Sequence, residues 1–128
     1  MGSRILTIHH AGKASAVGRL LAGAGYDVDA VADFEDGLAR LGDGKYQAII
    51  LQAGRDTESW RLCERVRRRD GTPLIVISHN ASTDTCVRAI TAGADYFLRK
   101  PFGPLEFLAR VRSLLPRRPA EQRAAIFS

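Results

Sequence analysis

The chain has 128 residues, 45% of them apolar, and a formal net charge of +5. That is enough for one hydrophobic core and too little for two, so one domain is expected over residues 1–116, with residues 117–128 a basic tail or linker. No apolar run approaches the roughly 20 residues that span a bilayer, and no signal-peptide core precedes the first strand, so a soluble, cytoplasmic protein without a membrane role is expected.

Arg4 to His9 reads as a buried strand. After Gly12 a helical pattern sets Val17, Leu20 and Leu21 on one face before Gly23 or Gly25 stops it. Tyr26 to Val31 alternates as a second strand. Asp33 is placed to cap a helix through Leu41, with Phe34, Leu38 and Leu41 inward, and Gly42-Asp43-Gly44 then turns the chain. Tyr46 to Leu51 forms a third strand that runs out at Gln52. A polar loop leads to a third helix with Trp60, Cys63 and Val66 as its inner face and Leu62 close by, closed by Asp70-Gly71-Thr72-Pro73.

Leu74 to Ile77 is apolar throughout, as a central strand covered on both faces must be. Ser82 or Thr83 can cap a fourth helix that ends at Gly93. A short fifth strand, Tyr96 to Leu98, meets Lys100-Pro101. After Gly103-Pro104 a fifth helix carries Leu105, Leu108, Val111 and Leu115 before Pro116 breaks it. Strict alternation of strand and helix predicts an α/β fold in three layers, a doubly wound five-stranded parallel sheet with helices on both faces. Ligands of such folds gather at the carboxyl ends of the strands, where this sequence places His9, His10, Gln52, Ser78, His79 and Lys100.

The arginines concentrate in Arg65-Val66-Arg67-Arg68-Arg69 and in Arg117, Arg118 and Arg123. With no groove-reading module and no interleaved aromatic residues, they read as a solvated helix face and a basic linker, and direct nucleic-acid binding is not expected. Cys63 and Cys86 fall in helical patterns without metal-ligand spacing, so free thiols are expected and no zinc site.

Gly93-Ala94-Asp95-Tyr96-Phe97-Leu98-Arg99-Lys100-Pro101-Phe102 resembles the GADDYLxKPF segment of bacterial response-regulator receiver domains, and Pro73-Leu74-Ile75-Val76-Ile77-Ser78 resembles their PIIxLT/S strand. The resemblance covers roughly residues 4 to 115 and implies the CheY-like, flavodoxin-like version of the fold. It assigns Lys100 to the family's lysine position, Ser78 to the hydroxyl that contacts a phosphoryl group, Phe97 to the aromatic switch position, and a cis bond to Lys100-Pro101. By the same resemblance the phosphoacceptor aspartate corresponds to Gln52, and the paired acidic residues correspond to His9 and His10. The loop after Gln52 departs too, with Asp56 where the family commonly has proline.

Those replacements imply an atypical receiver with no catalytic residue, no metal and no cofactor, because a neutral amide is a poor nucleophile and Mg²⁺ prefers hard oxygen ligands. Lys100 loses its counter-charges, and Gln52 Oε1 or Ser78 Oγ is expected to accept from it. The OmpR/PhoB subfamily dimerises through its fourth helix, fifth strand and fifth helix. Asp95, Glu106 and Arg110, with Arg117, stand at matching positions and imply a homodimer, although Cys86 and Tyr96 depart from that subfamily's pattern. The implied function is a phosphorylation-independent dimerisation module of a transcriptional regulator, with an attached or partner DNA-binding domain. A second reading is a pocket sensor in which a small ligand, proton or metal meets Lys100, Ser78, His9 and His10. A third is residual phosphotransfer through Asp56.

Overall fold

Strand and helix alternate from end to end in the computed structural model, which describes residues 3–9, 16–42, 44–54, 58–79 and 82–115. The elements are β1 Arg4–His9, α1 Ala16–Gly23, β2 Asp27–Val31, α2 Phe34–Ala39, β3 Ala48–Gln52, α3 Ser59–Arg69, β4 Leu74–Ser78, α4 Thr83–Thr91, β5 Tyr96–Arg99 and α5 Pro104–Leu114. All strands pair in parallel in the order β2-β1-β3-β4-β5. The expected doubly wound sheet is the one observed. His10, Asp43, Asp56, Pro116, Arg117 and residues 117–128 lie outside the described residues.

The period-two geometry of a strand sends successive side chains to opposite faces, so strands that are apolar at every position feed two cores at once. Leu6, Ile8, Ile49, Leu51, Leu74 and Val76 pack under α2, α3 and α4 with Phe34, Leu38, Cys63, Val66 and Ala89. Ile5, Ile50, Ile75 and Ile77 pack under α1 and α5 with Val17, Leu21, Phe107 and Val111. Cys63 is a free thiol in the first core, and burial pushes its pKa up to about 12; Cys86 is free and half-buried on α4.

Caps and turns follow the residue chemistry. Asp33 accepts from the Asp36 amide at 3.1 Å, and Ser82, rather than Thr83, caps α4 by accepting from the Thr85 amide at 3.1 Å. The turn after α4 needs Gly93, whose φ of +120° is a backbone conformation that L side chains avoid.

Several boundaries differ from the sequence reading. β2 starts at Asp27 and β3 at Ala48, and Tyr46, just before β3, is buried with its hydroxyl donating to Asp29 Oδ2 at 2.7 Å. α2 stops at Ala39, short of Leu41. Trp60 was expected inside α3; it is only half-buried, and Ser59 and Leu62 turn inward with Cys63 and Val66. Leu105 was expected on the inner face of α5 and is 82% exposed. Phe107 sets the helix phase instead, since a ring buries more apolar area than one leucine and Val111 follows it four residues later.

Candidate functional site

β1 and β3 end side by side, and their register pairs His9 with Gln52. Both side chains are almost shielded from solvent, at 8% and 6% exposure. The Gln52 Nε2 amide nitrogen lies 3.0 Å from His9 Nε2. An amide nitrogen can only donate, so this ring nitrogen accepts and the imidazole proton belongs on Nδ1. The ring is then neutral, which agrees with a His9 pKa held below its ordinary 6.5, first by burial and second by the charge of Lys100.

Ser78 closes β4, fully buried, and its carbonyl accepts from the Lys100 amide at 2.9 Å. The Ala53 amide donates to the Ile77 carbonyl at 2.9 Å, which ties the end of β3 to the end of β4. His9, Gln52, Ser78 and Lys100 are therefore brought together at one end of the sheet. The Gln52 amide turns its nitrogen to His9, and Lys100 is joined to the group through its main-chain bond to Ser78 and through its field on the imidazole. The Lys100-Pro101 bond is cis. Among the described residues of this group the side chains offer an imidazole, an amide, a hydroxyl and an ammonium. His10 lies outside the described residues.

The model of the response regulator receiver domain matches residues 9–112. The chain belongs to that family. Over 98 residues this receiver is 40% identical to the transcriptional regulatory protein HprR of Escherichia coli, a stretch that covers 74% of the chain and 43% of HprR. It is 35% identical over 95 residues to the response regulator ArlR of Staphylococcus aureus, covering 73% of the chain and 43% of ArlR. The receiver thus spans less than half the length of these curated relatives. A putative response regulator from Chloroflexus aurantiacus superposes with a TM-score of 0.78 at 26% identity, covering 91% of this chain and all of that one.

The receiver's other singled-out residues sit away from the pocket. Phe97, paired with Val76 in β5, is partly buried against the core beneath α4. Asp95 lies at the opposite end of the sheet, where its amide donates to the Leu74 carbonyl and its carboxylate bonds within the same chain. Glu106 and Arg110 are exposed on α5, with the Arg110 guanidinium 4.8 Å from the centre of the Tyr96 ring. Ile90 of α4 and Leu105 of α5 are exposed apolar side chains as well, and exposed Val87 of α4 lies against Trp60 of α3. Among the described residues no helix is long and apolar enough to cross a membrane, and no cluster of metal-ligating side chains occurs.

Sequence reasoning missed the pairing of aromatic rings with arginines. Arg65 lies 5.2 Å from the Phe34 ring, and Arg61 and Arg88 lie 5.0 and 5.4 Å from Trp60. The Arg65–Phe34 and Arg88–Trp60 contacts join different elements, and residue spacing along one helix does not signal them.

Proposed function

We propose that this receiver domain signals without acyl-phosphate chemistry, as a dimerising module of a transcriptional regulator. The observation that carries this reading is the buried Gln52–His9 hydrogen bond. Gln52 ends β3 where the family resemblance puts the phosphoacceptor aspartate, and its amide is engaged with a neutral imidazole. An amide oxygen lacks the charge that makes a carboxylate attack phosphorus. Mg²⁺ does not suit this group of side chains either: an imidazole and an amide stand where the resemblance puts the carboxylates it prefers, beside the Lys100 ammonium.

The names of the relatives, a transcriptional regulatory protein and a response regulator, support the placement in gene control. In such a regulator the remaining length would supply the DNA-binding part. Two copies would meet through α4, β5 and α5, where Ile90 and Leu105 expose apolar surface beside Glu106 and Arg110. A two-fold arrangement lets every favourable contact occur twice.

The test is intact-mass measurement after incubation with acetyl phosphate and Mg²⁺. The mass is expected to stay unchanged. A stable gain of one phosphoryl group would overturn the reading, and mapping it to Asp56 would favour residual phosphotransfer.

A further inference from the structure

Two shallow cavities meet at Trp60. One, of about 520 Å³, lies between α3 and α4 and is lined by Trp60, Glu64, Val87, Arg88, Thr91 and Ala92. The other, of about 390 Å³, follows α3 over Trp60, Arg61, Glu64, Arg65 and Arg68. They share Trp60 and Glu64 and together make one groove across the surface of both helices. Trp60, the chain's single tryptophan, stands half-buried in it.

The edges of the groove are basic. Arg61, Arg65 and Arg68 recur at four- and three-residue spacing and so share one side of α3, and Arg88 faces them from α4. Three of the four already hold a carboxylate of their own chain: Arg61 holds Glu58 at 3.0 Å, Arg65 holds Glu35 at 2.7 Å, and Arg88 holds Asp84 at 2.9 Å. All these partners are exposed, and the pairs of Arg61 and Arg88 are weak enough to exchange for a partner's acids, whereas Arg65 grips Glu35 through both terminal guanidinium nitrogens. Tryptophan and arginine are also the residue types most enriched among those that dominate binding energy.

We propose that the groove between α3 and α4, floored by Trp60 and Val87 and edged by these four arginines, docks an acidic peptide segment that seats one apolar side chain on Trp60. Charge complementarity selects this occupant. The internal pairs mark where carboxylates fit around the groove, and Glu64 at its middle repels acids from the centre, leaving that place to an apolar group. A second copy of this basic chain would bring like charge. The groove lies apart from Gln52, so this inference stands independently of how the pocket signals.

The experiment titrates the whole chain with a synthetic peptide of glutamates with leucines at helical spacing and reads the emission of Trp60. Controls are the same peptide with lysines for glutamates, and oligothymidylate. The acidic peptide is expected to change the emission saturably, and the lysine peptide is not. Arg61→Glu combined with Arg88→Glu is expected to weaken binding about tenfold or more, with Arg68→Glu as a second, separately folded variant that weakens it less. No emission change, binding indifferent to both variants, or oligothymidylate binding as tightly as the acidic peptide would each overturn the proposal.

Discussion

Asp95 and Arg67 form the joint between α3 and β5: Arg67 Nη2 donates to Asp95 Oδ2 at 2.8 Å, and the same oxygen accepts from the Leu74 amide at 2.8 Å. Arg67 also donates through Nε to the Gly93 carbonyl at 2.8 Å, and through Nη1 to the carbonyls of Asp70 and Thr72. One guanidinium thus satisfies the chain ends that lead into β4 and β5. It also occupies Asp95 within its own protomer, so in the proposed dimer a partner's arginine would meet a carboxylate already bonded, and apolar contact through Leu105 and α4 carries more of the interface.

Replacing Arg67 by methionine removes these bonds while keeping much of the apolar stem, and should lower stability by about 2–4 kcal/mol, read as a fall in the urea midpoint. Gly93→Ala should cost about 1–3 kcal/mol, because its φ is +120° and an added Cβ would come within 2.5 Å of Arg67 Cγ. Part of that cost is steric and belongs to Arg67, so Gly93→Ala should be less damaging in an Arg67→Ala background than alone. Strict additivity in that double-mutant cycle would contradict the packing described.

His9 gives the fold an acid sensitivity whose sign is fixed by its lowered pKa. The unfolded chain takes up a proton near pH 6.5, whereas the folded one does so only at lower pH. Between those points the unfolded state binds more protons, so the contribution of His9 is complete above 6.5 and is lost as pH falls through the folded value. Urea unfolding of the wild type and of His9→Asn from neutral to mildly acidic pH should show the steeper decline in the wild type. Parallel declines would contradict a buried neutral ring.

Gln52→Asp places a carboxylate against the imidazole. An adjacent negative charge favours the imidazolium, so the His9 pKa should rise relative to the wild type, observable in the ring-proton shifts by NMR. A ring that titrates unchanged in this variant would mean that residue 52 does not face it.

Association of two copies should depend on α5. Leu105→Asp, at a position 82% exposed, and Arg110→Asp should each shift size-exclusion elution toward the monomer without lowering thermal stability much. Elution identical to the wild type at equal concentration would remove this face from consideration.

The fold was legible because apolar runs such as Leu74 to Ile77 have no reading other than a strand covered on both sides, and because Asp33 and Ser82 announce their helices by cap chemistry. The grouping of His9, Gln52, Ser78 and Lys100 followed from the rule that strand ends converge in a parallel sheet. The direction of the Gln52 amide did not, since an amide offers a donor and an acceptor and only the three-dimensional surroundings choose between them. Leu105 misled for a related reason: leucines at spacings of three and four fit a buried stripe as well as Phe107 and Val111 do, and the choice rests on the shape of the opposing sheet. The rings near arginines were invisible because Phe34 and Arg65, or Trp60 and Arg88, meet only across elements.

The two thiols differ in a way that is useful at the bench. Cys63 is enclosed in the core and stays protonated at neutral pH, whereas Cys86 stands partly open on α4. Thiol-directed dyes or spin probes will therefore attach to this 128-residue chain at Cys86, giving a handle on the fourth helix for distance measurements without any mutation.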